Sequence, residues 1–345
     1  MSTRQLIMKL DEIFTFENLY AAHKACRKSK QHRGEVIRFE LDLGKNISEI
    51  IKQINSRKYK IGKYRKFILY EPKERLIEAL TYKDRVVLMC FCTHVLKPKI
   101  SKHIIYDNVA CQKFKGTDFG LDRLTKFLKR EYINNGNNQF YYLKCDISKY
   151  FPSINFEVLS NKLKKIGLSD DELYMARIFM EKDNPFVGVP LGNLSSQWFA
   201  LLYLDEIDRL CKETLQIKGY VRYMDDFILI HKDKEYLKYC LKEIEKVCVN
   251  NLKLTLNRKT QIGKVSNGID FLGFRLTLTD TGKVIKKLRS SSKKRIKKHL
   301  KALSKLENKG IVNREYVNIR KNSFYSRVQK SNESLSFLNK TKPLQ

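Results

Sequence analysis

Apolar residues recur at helical and strand spacing through the first part of the chain. A helical pattern runs from Thr15 to about Lys30, and residues 47–54 repeat apolar positions at helical spacing. Residues 66–70 are a short apolar run that predicts a strand. Residues 122–132 predict an amphipathic helix, which the segment 134–138 stops because it is rich in Asn and Gly.

The middle of the chain is richer in predicted strands. Residues 140–147 predict a strand that carries Asp146 at its end. The apolar runs 219–221 and 227–230 flank two adjacent acids, Asp225 and Asp226, and predict a tight hairpin with these acids at its tip. Four further elements are predicted: one long helix over 195–215, a helix over 234–249, a strand over 271–276 and a hairpin turn at 280–282.

The last part of the chain predicts a basic helical region. From Arg289 the pattern is helical, and residues 293–300 contain six Lys, Arg or His residues. A solvated helix face is one interpretation of this charge run, and a helix that lies along a phosphate backbone is the other.

Composition adds a partner to this picture. The chain has 345 residues with 42% hydrophobic residues, enough for a large core and two or three subdomains. Lys and Arg number 69 against 37 acids, which gives a formal net charge of +32. Such an excess favours a polyanionic partner, because every neutralised phosphate releases counterions. A soluble protein with a solvated basic face is the alternative interpretation.

The sequence also predicts a cytoplasmic location. No signal-peptide pattern is evident at the start, and no apolar run approaches the roughly 20 residues that a membrane span needs. The eight cysteines are scattered and mostly lie in apolar stretches, which is typical of reduced, buried thiols.

Three acids are the candidate chemical centre. Asp225 and Asp226 are adjacent and repel each other, so a fold that holds both favours a cation between them. Asp146 ends an apolar strand, where a carboxylate is costly unless it is paired or bound to a metal. Asp146 as an ordinary helix cap is the alternative. If the strand lies beside the hairpin, the three acids converge and bind two divalent cations.

Several segments resemble one enzyme family. The sequence Tyr223-Met224-Asp225-Asp226 resembles the YxDD box of reverse transcriptases, residues 144–154 (KCDISKYFPSI) resemble their first palm motif, and residues 271–274 (FLGF) resemble their primer grip. The resemblance implies an α+β, right-hand polymerase fold, in which an antiparallel palm sheet carries the YxDD hairpin. It implies three regions: an N-terminal extension with fingers over 1–138, a palm over 139–276 and a basic helical thumb over 277–345.

One block resembles a subgroup of that family. Residues 191–197 (LGNLSSQ) are similar to the form found in reverse transcriptases of diversity-generating retroelements, and residues 70–77, 83–85 and 110–117 resemble the fingers of that group. Those enzymes copy a template RNA with errors at adenines. The Ser-Gln form also occurs in some other bacterial reverse transcriptases. Other stand-alone bacterial reverse transcriptases include phage-defence and group II intron-like enzymes. These remain an alternative, and a non-catalytic RNA-binding scaffold is a further one.

The resemblance implies a role for particular residues. Metal binding falls to Asp146, Asp225, Asp226 and the backbone carbonyl of Ile147, with two Mg²⁺ ions as cofactors that Mn²⁺ can replace. The dNTP site comprises Lys73, Arg75, Tyr150, Phe151, Leu191 and Gly192. Template and primer contacts fall to Gln197, Tyr223, Phe271, Leu272 and Gly273, and Lys259 is a candidate general acid. Exposed basic residues on a strand remain the alternative for Lys73 and Arg75, and a core position remains the alternative for Phe151.

The resemblance also implies partners. These are a template RNA with its RNA/DNA hybrid, dNTPs, a small basic accessory protein and a structured retroelement RNA, in a bacterial or phage-encoded system with no membrane component.

Overall fold

A computed structural model describes residues 9–70, 73–180, 186–329, 331 and 332. The N-terminal segment 1–8 and the end of the predicted thumb lie outside the described residues. The α-helices of the described part are α1 (Leu10–Ile13), α2 (Phe16–Arg27), α3 (Gly34–Leu41), α4 (Leu43–Asn55), α5 (Tyr82–Phe91), α6 (Lys97–Ile100), α7 (Thr117–Asn135), α8 (Tyr150–Ser153), α9 (Phe156–Lys165), α10 (Asp170–Met180), α11 (Leu194–Tyr203), α12 (Asp205–Arg209), α13 (Lys234–Lys246), α14 (Ser290–Asn308) and α15 (Arg314–Gln329).

The strands of the described part are β1 (Arg65–Leu69), β2 (Arg75–Ala79), β3 (Tyr141–Asp146), β4 (Gly219–Tyr223), β5 (Asp226–His231), β6 (Gln261–Lys264), β7 (Ile269–Phe271), β8 (Phe274–Leu278) and β9 (Val284–Leu288). Short π-helical turns follow α5, α12 and α13. The mixed α+β class predicted from the sequence is confirmed.

The N-terminal helices form where the apolar spacing predicts them. Thr15 caps α2, because its side-chain oxygen accepts a hydrogen bond from the backbone N–H of Asn18 at 3.2 Å. Helix α4 buries Ile47, Ile50 and Ile54, which are three and four residues apart and so lie on one face. The predicted helix over 122–132 is part of a longer one, α7.

Contacts between Cα atoms divide the chain into two compact units. Unit 1 comprises residues 1–111, 146–210 and 242–258, and unit 2 comprises residues 112–145, 211–241 and 259–345. Each unit is therefore built from three separate segments of the chain. The division into fingers, palm and thumb stays a prediction.

Unit 1 is mainly helical, with one small sheet. Helix α11 packs against α5, α9 and α10, and all but two of its residues are buried. Strands β1 and β2 form an antiparallel hairpin in which Arg65 pairs with Ala79 and Leu69 pairs with Arg75. All five residues of β1 are exposed.

The long helix predicted over 195–215 is wrong, because the helix breaks at Leu204. This residue has a φ of −94° and a ψ of 8°, and α12 begins directly after it. The first turn of α12 contains Asp205, Glu206 and Asp208. Carboxylates are favourable beside the partial positive charge of a helix N-terminus, so these acids favour a new start at this point.

Unit 2 contains the other two sheets. The first has the strand order β4-β5-β3-β6, and α7 packs against β4 and β5. The second has the order β7-β8-β9. The strand predicted over 271–276 is wrong: β7 ends at Phe271 and β8 begins at Phe274. Leu272 and Gly273 form the turn between them with φ values of 48° and 87°.

The C-terminal helices of unit 2 pack against each other. Helix α14 buries Ser292, Ile296 and Leu300, and the ring of His299 stacks on Phe324 of α15 with centroids 6.0 Å apart. Within the described residues, no helix has the length and apolar character of a membrane span.

Candidate active site

The hairpin of β4 and β5 presents two adjacent carboxylates, as the sequence predicts. The strands are antiparallel with Tyr223 opposite Asp226, so Met224 and Asp225 form a two-residue turn. Asp225 and Asp226 are half-buried, whereas the strand residues on either side are largely buried. Met224 has a φ of 56°, in the left-handed region that favours glycine, and this conformation costs about 1–3 kcal/mol.

A buried arginine supports this turn. Arg222 is fully buried in β4, and its Nη1 donates a hydrogen bond to the backbone carbonyl of Met224 at 2.9 Å. The guanidinium therefore fixes the carbonyl of the residue with the unfavourable φ. A charge-assisted hydrogen bond of this kind is stronger than a neutral one.

Lys144 places a positive charge beside the acidic turn. Its Nζ lies 3.3 Å from Oδ2 of Asp226 and also donates a hydrogen bond to the backbone carbonyl of Asp270 at 2.6 Å. The Asp270 side chain is paired in turn with Arg289 at 3.2 Å and Arg275 at 3.4 Å. The acidic hairpin is thereby connected to the sheet of β7, β8 and β9 through one ammonium group.

Asp146 is the last residue of β3, the strand that neighbours β5 in the sheet. Its backbone carbonyl accepts a hydrogen bond from the N–H of Asn257 at 2.7 Å. Ile147 follows and forms an isolated antiparallel bridge with Leu256. Residues 255–257 therefore fix the backbone of Asp146 and Ile147, the two predicted metal ligands of this segment.

The donor set fits a hard divalent cation in type. Carboxylate and carbonyl oxygens are the ligands that Mg²⁺ prefers, and Asp226 already has a cationic neighbour in Lys144. Across the ranges that the structure describes, no group of three or more His, Cys, Asp or Glu side chains is arranged as a metal site. Binding by Asp146, Asp225 and Asp226 together thus stays a prediction.

Several predicted dNTP residues share one framework in unit 1. The N–H of Val189 donates to the backbone carbonyl of Phe151 at 3.1 Å, and Gly188 donates to Ile154 at 2.8 Å. The buried Tyr150 donates its hydroxyl proton to the carbonyl of Ala200 in α11 at 2.5 Å. These bonds fix the segment that carries Tyr150 and the half-buried Phe151 against the loop before α11.

The same loop is tied to β2. The backbone N–H of Glu78 donates to the carbonyl of Leu191 at 2.8 Å. Gly192 has a φ of 129°, and a Cβ at this position would lie 2.8 Å from the carbonyl oxygen of Glu78. Only glycine permits this approach, so Leu191 and Gly192 lie directly against the strand that begins with Arg75.

Asn193 fixes the end of this loop. It is buried, and its Nδ2 lies 2.9 Å from the hydroxyl of Tyr64, whose pKa burial raises to about 12. Ser196 donates to the carbonyl of Pro190 at 2.6 Å. Asn193 therefore connects the loop over 190–196 to Tyr64, and Ser196 closes the loop on its first residue.

Lys73 and Arg75 are both exposed at the end of the β1–β2 hairpin. Glu71 and Pro72, which belong to the same sequence block, lie outside the described residues. The hairpin also exposes apolar side chains, among them Phe67 at 43% and Tyr70 at 70%. Exposed cations and rings together suit contact with phosphates and bases.

The predicted template and primer residues occupy two units. Gln197 is exposed in the first turns of α11 in unit 1, and Tyr223 is half-buried at the end of β4 in unit 2. Phe271 is buried, and Leu272 and Gly273 form the tip of a hairpin in unit 2. Lys259 is exposed in a turn before β6.

The tip at Gly273 is held by the start of the basic helix. The carbonyl of Gly273 accepts hydrogen bonds from the N–H of Arg289 and from Oγ of Ser292, both at 3.2 Å. Together with the Arg289–Asp270 pair, these bonds join α14 to the predicted primer grip.

Sequence reasoning missed three contributors to this site: Lys144, Asp270 and Asn193. Lys144 and Asn193 lie inside recognised sequence blocks, so the signal was present, but their partners are distant in sequence. No local pattern identifies Asp270 as the residue that pairs with two arginines.

Comparison with known proteins agrees with this arrangement. A family model described as reverse transcriptase (RNA-dependent DNA polymerase) matches residues 56–276. No curated protein sequence matches the chain.

Among solved structures, the chain is similar to telomerase from Candida albicans in complex with the TWJ fragment of telomeric RNA, with a TM-score of 0.51 and 13% identity over 75% of this chain and 55% of that chain. It is also similar to apo telomerase from Candida tropicalis, with a TM-score of 0.50 and 16% identity over 68% of this chain and 48% of that chain. The chain thus spans about half the length of the telomerases it matches. At this identity the likeness is one of fold.

Proposed function

Since this chain belongs to the reverse transcriptase family of RNA-dependent DNA polymerases, we propose that it copies a template RNA with dNTPs as the error-prone enzyme of a diversity-generating retroelement. The observation that carries the polymerase assignment is the family match over residues 56–276, which includes the acidic hairpin. The subgroup assignment is supported by residues 191–197 and the fingers-like blocks.

In the proposed reaction the primer 3′-oxygen attacks the α-phosphorus of a dNTP, and the bond to pyrophosphate breaks. Asp146, Asp225, Asp226 and the Ile147 carbonyl would hold two Mg²⁺ or Mn²⁺ ions. These ions would activate the 3′-hydroxyl and stabilise the leaving pyrophosphate. Lys259 is proposed to give a proton to the pyrophosphate.

The chain's other residues would bind and orient the substrates. Lys73 and Arg75 would pair with triphosphate oxygens, which suit an ammonium and a fork-shaped guanidinium. The ring of Phe151 would exclude a ribose 2′-hydroxyl and so favour dNTPs over NTPs, with Tyr150 anchoring the turn beside it. Gly192 would let the backbone approach the nucleotide, as it approaches Glu78 in the structure.

Other residues are proposed to contact the template and the primer. Gln197 would contact the template strand, and Tyr223 with the Phe271–Leu272–Gly273 tip would position the primer end. Leu191 would shape the pocket for the template base. A mispair is disfavoured by only about 1–3 kcal/mol per contact, so a small change in this pocket would produce errors at adenines.

Primer extension tests the polymerase assignment. The purified chain is expected to extend a DNA primer on an RNA template with dNTPs in Mg²⁺, and to stop when EDTA is added. Extension in EDTA, or no extension under any divalent cation while the RNA/DNA hybrid is bound, would contradict it.

Sequencing the cDNA from the same reaction tests the subgroup. We expect substitutions concentrated opposite template adenines, and Leu191→Met should change their frequency more than Leu194→Met, which alters a half-buried leucine in the same block. Errors spread evenly over the four template bases would contradict the subgroup assignment and favour another stand-alone bacterial reverse transcriptase. A small basic accessory protein and a structured RNA are proposed partners in the retroelement.

A further inference from the structure

A basic cavity lies in unit 1, apart from the acidic hairpin. It has a volume of about 460 Å³ and is formed by α3, the start of α4, the start of β1, the end of β2 and the first turn of α5. Its charged lining residues are five cations and one carboxylate: Arg38, Lys63, Arg65, Lys83, Arg85 and Glu35.

The cations of this cavity differ in their partners. Arg85 is ion-paired with Glu35, and Nζ of Lys83 lies 3.3 Å from Oε1 of Gln53. Arg38, Lys63 and Arg65 are exposed, and within the described residues none of the three has a carboxylate at ion-pair distance. Counted over the described part of the chain, the cavity therefore contains three positive charges with no carboxylate beside them.

Aromatic packing and hydrogen bonds fix the walls of the cavity. Phe39 and Tyr82 line it and contact each other edge-on with centroids 5.3 Å apart, and both are buried. Thr81 caps α5 by accepting from the N–H of Asp84, and Asp84 in turn accepts from Tyr59 and from the N–H of Gly62. These bonds fix the chain just before Lys63 and Arg65.

Positive groups that line one cavity without a carboxylate beside them repel one another, and a bound anion removes that cost. Guanidinium forks and an ammonium are the groups that recognise phosphate oxygens. A volume of about 460 Å³ is enough for a phosphate with its sugar. Arg38, Lys63 and Arg65 are exposed, so their charged groups are accessible to a strand in solution.

We propose that this cavity binds a backbone phosphate of an RNA strand. The inference rests on the proposed function for the source of the strand, since an RNA-templated polymerase must bind RNA. Of the three cations, Lys63 and Arg65 lie inside the region that the family model matches, and Arg38 on α3 adds a cation from the segment before residue 56.

The test is equilibrium binding of a fluorescein-labelled single-stranded RNA to the full chain, followed by anisotropy at several salt concentrations. The double variant Arg38→Glu with Lys63→Glu is expected to weaken binding at least about tenfold. It should lower the slope of log affinity against log salt by about 0.7 for each phosphate that is no longer neutralised. The matched control is Lys28→Glu with Lys52→Glu, which changes the charge of exposed positions in unit 1 by the same amount outside the cavity.

The neutral variant Arg38→Gln with Lys63→Gln guards against an effect of reversed charge on folding, and should also weaken binding more than its control, Lys28→Gln with Lys52→Gln. Equal losses of affinity in cavity and control variants would overturn the proposal. Competition by inorganic phosphate and by dATP distinguishes the source. Neither competitor is expected to displace RNA at concentrations comparable to the RNA's own dissociation constant. If dATP displaces RNA from the wild type but not from the cavity variant, the ligand of the cavity is a free nucleotide and not an RNA strand.

Extension by the wild type separates this proposal from the proposed function. A wild type that binds RNA through the cavity without extending a primer would refute the polymerase assignment and leave the phosphate site intact. If the wild type extends primers while cavity and control variants bind RNA equally, the phosphate site is refuted and the polymerase assignment is kept.

Discussion

At the residue scale, the buried His23 shows how local environment sets a titration. It is 2% exposed, with Nδ1 2.9 Å from the Tyr82 hydroxyl and Nε2 3.2 Å from Glu40. Burial lowers the pKa of His23, and the nearby Glu40 opposes that effect without reversing it. The neutral imidazole is therefore the form that the folded chain favours.

We expect acid to destabilise the protein through this residue. A folded pKa below the unfolded value of about 6.5 means that the unfolded chain binds the proton first. The stability is fully present above pH 6.5 and is lost as the pH falls towards the lowered folded pKa. Urea unfolding midpoints between pH 7.5 and 5 should fall less steeply for His23→Gln than for the wild type. His32→Gln, at an exposed position, should keep the wild-type slope; equal slopes for all three proteins would contradict this assignment.

Gly192 gives a second prediction at this scale. In Gly192→Ala the new Cβ would meet the carbonyl of Glu78 at 2.8 Å with an unfavourable φ, so the loop must move. We expect a decrease of about 1–3 kcal/mol in stability and a raised KM for dNTPs. Gly44→Ala is the control, because a Cβ there meets nothing within 4 Å in helix α4 and should stabilise by about 0.5–1 kcal/mol. An unchanged KM for dNTPs in Gly192→Ala would contradict the prediction that this loop is part of the dNTP site.

Residue types alone identified the acids and the glycine of this site, but not their pairings. Lys144 stands two residues before Asp146 in a recognised block, yet its contact with Asp226 depends on the order of strands in the sheet. Such a pairing depends on tertiary structure, so the position of Lys144 within the block does not reveal its partner.

At the element scale, turn chemistry decided which strands could be predicted. The β4–β5 hairpin was predictable because a charged pair interrupts two apolar runs. The β7–β8 hairpin was missed because Leu272 and Gly273 lie inside a continuous apolar run, where strand spacing hides a two-residue turn. The break at Leu204 was missed for a related reason, since no Gly or Pro marks it.

Helix α14 presents a regular stripe of charge. Lys294, Lys298, Lys301 and Lys305 are exposed and spaced by four, three and four residues, which places them on one helix face. Ile296 and Leu300 are buried. The spacing suits contact with successive backbone phosphates, which is one of the two interpretations of this charge run.

Replacing these four lysines by Gln should weaken binding of an RNA/DNA hybrid and reduce its salt dependence, by somewhat less than one in slope for each phosphate that is no longer neutralised. The rate of incorporation at saturating hybrid should change little. The matched control replaces four exposed lysines of α13: Lys234, Lys238, Lys242 and Lys246. Anisotropy titrations measure the affinity of both variants for the hybrid. Equal decreases in affinity would show that net charge alone, and not the position of the α14 lysines, determines binding.

At the scale of the whole molecule, charge and family were predictable and the division into units was not. A net charge of +32 and the order of the sequence blocks are properties of the printed sequence. The two compact units each combine three distant segments, so their limits depend on long-range contacts. The predicted division into three consecutive regions could not include those contacts, because they join residues that are far apart in the sequence.

The central claim is that Asp146, Asp225 and Asp226 act together in metal-dependent nucleotide addition. Single-turnover incorporation of one dNTP on an RNA template, with saturating hybrid and Mg²⁺, tests it most directly. Asp146→Asn and Asp225→Asn should each lower the rate by about a thousandfold, the equivalent of about 4 kcal/mol, while hybrid affinity stays near that of the wild type. Asp233→Asn, at an exposed carboxylate after β5, should keep the wild-type rate. Incorporation at wild-type rates in either of the first two variants would contradict the account.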